Sequence, residues 1–177
     1  MLRLFVGVEL PTSFHESLRS LCSGLKEVRW VAPRNMHITL AFLGEIDQGA
    51  AADFHEALCD IQFDSFELYL NEVDCFESRG RAHVVWTGVK GKVEALAHLH
   101  QKVLMAAEYA GLKPDRRKYK PHVTLAWLKG TPLENVQTYM SSHNGFKTER
   151  FVVDHFSLYR SHLTRHGADY EVLERYG

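Results

Sequence analysis

The 177-residue chain carries only three cysteines, and Cys22, Cys59 and Cys75 form no C-x-x-C pair. An odd number at such spacing argues against a disulfide framework and against a thiolate zinc site. A reducing, cytoplasmic setting is the expectation. The net charge of −1 leaves no basic surplus, so there is no global case for tight nucleic-acid binding and any anion site has to be local. No apolar run approaches the length of a membrane span. Leu2 to Glu9 reads as a strand, without the layout of a signal peptide. The chain also lacks a G-x-S-x-G elbow and a glycine-rich phosphate loop, which sets aside nucleophilic-serine and P-loop chemistry.

Histidine, by contrast, is plentiful, with 11 copies. Two of them open a repeated string, His37-Ile38-Thr39-Leu40-Ala41-Phe42-Leu43 and His122-Val123-Thr124-Leu125-Ala126-Trp127-Leu128. The composition alone yields about 0.5 His-x-Thr triplets per chain, so a triplet says little. A third, His162-Leu163-Thr164, lacks the apolar frame and reads as a coincidence near a turn. The two long matches share five of seven residues and imply a duplicated element. On a strand, alternate side chains face opposite ways. His37 and Thr39 then share one face, as do His122 and Thr124, while Ile38, Leu40, Val123 and Leu125 face a core. By the same alternation Phe42 and Trp127, five residues past their histidines, belong with the core.

The surrounding pattern repeats as well. A strand over Leu4–Val8 leads to a helix from about Pro11 to Gly24, then to the first motif strand, which ends at Gly44. A second helix opens at Asp47 or Gln48, and Phe54, Ala57, Leu58 and Ile61 fall at helical spacing. Phe66 to Phe76 alternates as a strand before a turn at Ser78-Arg79-Gly80. Val84–Val89 resembles the opening strand, with Gly88 where Gly7 stood. A helix from Lys92 to Tyr109 leads to the second motif strand, a short helix over Leu133–Met140, and final strands over Phe151–Tyr159 and Tyr170–Leu173. The expectation is an α+β fold, residues 1–177, in which two interleaved lobes each bring one motif strand to a shared cleft.

Imidazole titrates near neutrality. Two of them flanking one substrate can therefore divide the work of base and acid. In-line displacement at phosphorus needs that division, and Thr39 and Thr124 are suited to hold phosphate oxygens without adding charge. Arg29 and Arg34 precede the first motif, and Arg116, Arg117, Lys118 and Lys120 the second, although the latter run also suits a solvated loop. Trp30 and Tyr119 offer stacking surfaces. His98 and His100 lie about 200° apart on a helix, and no carboxylate or cysteine recurs with the motifs, so no metal is expected. His15, His55, His98 and His100 are expected at helix surfaces or boundaries. The residues leave open whether the cleft turns a substrate over or only holds a phosphate end, and which histidine is the acid.

The paired H-x-T-x strings resemble those of the 2H phosphoesterase superfamily. Arg3 to Pro11, Asn35 to Gly44, Val84 to Val89 and Pro121-His122 together resemble its LigT-like branch of RNA 2',3'-cyclic phosphodiesterases. The resemblance implies a bilobal fold with antiparallel sheets around a central cleft and helices outside. It implies opening of a terminal 2',3'-cyclic phosphate to a 2'-phosphomonoester, with no cofactor and no metal. Some relatives also join RNA ends through a 2'-5' linkage. By position, His37 matches the family's proton donor, His122 its proton acceptor, and Thr39 and Thr124 its phosphate-binding threonines. The expected partners are RNA or oligonucleotide ends, met by a cytoplasmic monomer without a membrane.

Overall fold

Runs of alternating or β-branched residues account for most of the architecture. The computed structural model describes residues 1–177. Strand β1 (Leu2–Glu9) is followed by a short helix α1 (His15–Ser20), β2 (Val28–Trp30) and the first motif strand β3 (His37–Ile46). Then come α2 (Gln48–Cys59), β4 (Phe66–Ser78) and β5 (Arg81–Gly91). Helix α3 (Val93–Tyr109) leads to the second motif strand β6 (His122–Leu128) and α4 (Leu133–Ser142), and β7 (Phe151–Val153), β8 (Phe156–Thr164) and β9 (Gly167–Tyr176) complete the chain. The Asp47 carboxylate accepts the Ala50 N–H at 2.9 Å and caps α2. Arg79 and Gly80, both at positive φ, make the tight turn between β4 and β5. No helix is long and apolar enough to cross a membrane.

All nine strands join one antiparallel sheet, in the order β7-β4-β5-β6-β3-β1-β8-β9, with β2 added beside β6. The fold is α+β, as expected, and the half of the sheet that carries the first motif joins the half that carries the second. Their seam is β3 against β6, and it consists of a single residue pair, Ile38 opposite Val123. Both residues are fully buried and belong to one apolar cluster shared by strands and helices. Burying side chains of this size contributes about 1.5–3 kcal/mol each, so the seam is secured by the core beneath it.

Some expectations about the elements differ from the structure. The first helix is shorter than its Pro11–Gly24 frame: Thr12–Phe14 is a 3-10 turn, and α1 ends at Ser20. The Tyr139 hydroxyl donates to the Leu21 carbonyl at 2.6 Å, which occupies the acceptor a continuing helix would need. Phe151–Tyr159 is not one strand. β7 pairs with β4 in one half of the sheet, whereas β8 pairs with β1 in the other. The break falls at Asp154-His155, where His155 lies 3.1 Å from Glu9, a carboxylate that also accepts from Ser157 and from Arg175. Finally, Gly88 does not take the place of Gly7. Gly7 faces Thr39 and Trp86 faces Thr124, so Trp86 is the structural counterpart of Gly7. A Cβ at Gly7 would lie 2.9 Å from the Ile38 carbonyl oxygen and 3.2 Å from the His37 ring, an approach only glycine permits.

Candidate active site

Continuing the antiparallel register one residue either side of Ile38 and Val123 sets His37 across from Thr124 and Thr39 across from His122. The four side chains therefore share one sheet face, and all four line a cleft of about 990 Å³. The two imidazoles are held alike. His37 Nδ1–H donates to the Asn35 carbonyl at 2.8 Å, and His122 Nδ1–H donates to the Lys120 carbonyl at 2.7 Å. A carbonyl only accepts, so in each neutral ring the proton sits on Nδ1 and Nε2 is the basic nitrogen. His37 Nε2 accepts from the Thr39 hydroxyl at 3.0 Å.

The rings differ in their surroundings. His37 is packed among Phe5, Tyr159 and Tyr170, with centroid separations of 4.7, 5.6 and 5.3 Å. That burial pushes its pKa down from 6.5 to about 4, against a smaller opposing effect of the Asn35 carbonyl. His122 meets Phe76 edge-on at 4.8 Å and Trp86 at 5.8 Å. Its pKa is also lowered by burial, with the Lys120 ammonium acting in the same direction. Lys120 lies over the Phe76 and Trp86 rings at 5.5 and 5.0 Å, so a cation flanks the second imidazole.

Phe42 and Trp127 are not core residues. They are 48% and 45% exposed, and both line the cleft. The reason is a β-bulge placed alike in both motifs. Val6 pairs with Ala41 and Gly7 with Thr39, which leaves Leu40 unpaired; Val85 pairs with Ala126 and Trp86 with Thr124, which leaves Leu125 unpaired. The extra residue resets the alternation. Leu-Ala faces the core as a pair, and the following aromatic turns to the cleft. Because β3 and β6 run antiparallel, Phe42 and Trp127 stand at opposite ends of the histidine-threonine quartet.

The two bulges are braced differently. The Leu125 carbonyl accepts the Val31 backbone N–H at 2.8 Å. The Leu40 carbonyl accepts His100 Nδ1–H at 2.6 Å, and the adjacent Thr39 carbonyl accepts the Tyr119 hydroxyl at 2.8 Å. The His100 and Tyr119 rings are stacked at 3.9 Å. His100 is thus buried, only 6% exposed, and not a boundary residue. The basic run is a loop, but not a uniformly solvated one. Arg116 and Arg117 pair with Glu108 and Asp115, Tyr119 is wedged against α3, and Lys118 and Lys120 border the cleft. The triplet His162-Leu163-Thr164 ends β8 at a hairpin turn, where the Thr164 hydroxyl donates to the Gly167 carbonyl. No three His, Cys, Asp or Glu side chains converge to hold a metal ion.

The family model of the 2'-5' RNA ligase superfamily matches residues 8–165, a span that contains both motifs. The chain belongs to that superfamily. Among its relatives, an RNA 2',3'-cyclic phosphodiesterase of Archaeoglobus fulgidus is 32% identical over 97% of this chain and 98% of its own length. A protein of the same name from Aeropyrum pernix is 32% identical over 82% of this chain and 84% of its own. The structure of E. coli LigT complexed with 3'-AMP superposes with a TM-score of 0.79 at 27% identity, covering 98% of this chain and 96% of that one. As a member of the 2'-5' RNA ligase superfamily, the chain shares a curled antiparallel sheet with helices on its outer face.

Proposed function

We propose that the protein is an RNA 2',3'-cyclic phosphodiesterase that opens terminal cyclic phosphates to 2'-phosphomonoesters. The observation that carries the reading is the pair of imidazoles, held in the same tautomer by carbonyls two residues upstream and directed with two threonine hydroxyls into one cleft. His122 takes a proton from water as the water oxygen bonds to phosphorus. The bond from phosphorus to the 3'-oxygen breaks, and His37 delivers a proton to that oxygen, leaving a 3'-hydroxyl and a 2'-phosphate. Thr39 and Thr124 donate to the non-bridging oxygens, where charge builds up. The Thr39 hydroxyl, bonded to His37 Nε2 in the free protein, rotates to the phosphate when substrate arrives. No metal enters these steps, and a single chain supplies both histidines.

With a 5'-hydroxyl in place of water, the same arrangement joins two RNA ends through a 2'-5' linkage, which the name of the matching family favours as a second reading. The deciding experiment incubates a short RNA ending in a 2',3'-cyclic phosphate with the protein in EDTA and locates the product phosphate. A 2'-phosphate formed by the wild type, and reduced about 10²–10⁴-fold in both His37→Ala and His122→Ala, is the expected outcome. A 3'-phosphate product, or turnover abolished by EDTA, refutes the mechanism. Adding an RNA with a 5'-hydroxyl and looking for a longer product tests the joining reaction.

A further inference from the structure

Past Trp127 the cleft does not end. It continues into a second cavity of about 370 Å³, within the lower range of pockets that hold small molecules. Trp127 and Arg29 border both spaces, and beyond them the cavity is lined by Trp30, Arg34 and the β8–β9 turn at His166. Arg29 on β2 lies directly opposite Trp127 on β6, so the guanidinium and the exposed indole leave the same face of the sheet side by side. Arg29 is exposed and makes no ion pair, whereas Arg34 lies 3.7 Å from Asp169. A free cation next to an exposed aromatic face matches a phosphodiester with its base: the charge meets the backbone and the ring stacks on the base.

The turn that closes the cavity is also tied to the histidine. Asn35 Nδ2 donates to the Ala168 carbonyl at 3.2 Å, while the Asn35 carbonyl holds His37 Nδ1. One residue therefore joins the wall of the second cavity to the orientation of the imidazole.

We propose that this cavity is a subsite for the nucleotide immediately upstream of the cyclic phosphate, with Arg29 on the connecting phosphodiester and the upstream base on Trp127. It rests on the function proposed above and adds a substrate class: RNA chains of two or more nucleotides are preferred over cyclic mononucleotides. One stacked base contributes about 1–3 kcal/mol, which corresponds to about 5- to 150-fold in affinity.

The test compares kcat/KM for a 2',3'-cyclic mononucleotide with that for a dinucleotide carrying the same 3' end, in the wild type, Arg29→Gln and Arg34→Gln. Dissociation constants for a nucleoside 2'-phosphate and for the dinucleotide ending in 2'-phosphate are measured alongside. The expected wild-type preference for the dinucleotide is about tenfold or more, in both kcat/KM and affinity. It falls toward unity in Arg29→Gln and is weakened less in Arg34→Gln. Equal handling of the two lengths by the wild type, or a preference that survives in Arg29→Gln, overturns the subsite. If neither substrate is hydrolysed, the function proposed above fails, and the ratio of dissociation constants still decides the subsite.

Discussion

If His37 is the acid, it has to acquire a proton that burial currently denies it. With a pKa of about 4 in the free protein, about one molecule in a thousand carries a protonated His37 at pH 7. An anion in the cleft changes that balance. A single negative charge about 4 Å from the ring, at an effective dielectric constant near 20, favours the imidazolium by about 4 kcal/mol. That amounts to about three pKa units, enough to bring His37 near neutrality. The perturbation to apply is therefore sulfate, whose charge is constant across the range, at saturating concentration. Imidazole resonances are followed by NMR from pH 3 to 9 with and without it, and His37→Gln assigns the signal. An upward shift of two units or more is expected. A free-protein pKa at or above about 6, or a shift below one unit in sulfate, refutes the reasoning. Kinetics supply a second reading. kcat/KM follows the free protein, and both imidazoles are lowered from 6.5. kcat/KM should fall about tenfold per pH unit above pH 6.5, while kcat holds to higher pH because the bound phosphate raises the donor.

Tyr119→Phe and His100→Leu each leave a backbone carbonyl of the first bulge without its donor, a loss of about 1–3 kcal/mol. Urea denaturation should register it, and His100→Asn, which keeps a donor, should recover stability and kcat together; recovery of neither sinks the bracing argument. Phe42→Ala removes a stacking face at one end of the cleft and should raise KM for RNA about fivefold or more with a smaller change in kcat, whereas an unchanged KM returns Phe42 to a merely exposed residue. Glu9 is held down to about pKa 2, first by the Arg175 guanidinium and then by Ser157 and His155. Its folded pKa lies below its unfolded value of 4.5, so its contribution is present above pH 4.5 and is lost as pH falls toward 2. Glu9→Gln should cost about 1 kcal/mol at pH 7, since solvent screens a partly exposed pair, and flatten the loss of stability between pH 4.5 and 2, and parallel curves for the two proteins would contradict this.

The grouping of His37, Thr39, His122 and Thr124 was legible because strict alternation holds over the first three residues of each motif. It fails at the fourth, where each strand bulges, and that failure hid Phe42 and Trp127. A signal was there: the period-two pattern stops at the same place in both copies, where the unbroken apolar runs Leu40–Leu43 and Leu125–Leu128 begin. His100 was legible too. It lies four residues after Leu96 and four before Leu104, on the buried stripe of α3. Pairings between distant segments left no local trace. Nothing in Phe151–Tyr159 tells that its ends belong to opposite halves of the sheet, because the break is set by Glu9 and Arg175 at the two ends of the chain.

The swapped strands bear on how the protein comes to exist at all. β2, which precedes the first motif, completes the half built on the second motif, and β8 and β9, which follow the second motif, complete the half built on the first. No cut through the chain separates two foldable units, and most close pairings span long stretches of sequence, which makes for slow folding. On a growing polypeptide, His37 is made well before two of the three aromatic rings that desolvate it, Tyr159 and Tyr170, which arrive only with β8 and β9. The desolvated setting of His37 is therefore assembled only once β8 and β9 have been made, and a chain cut short of them carries both motifs without it.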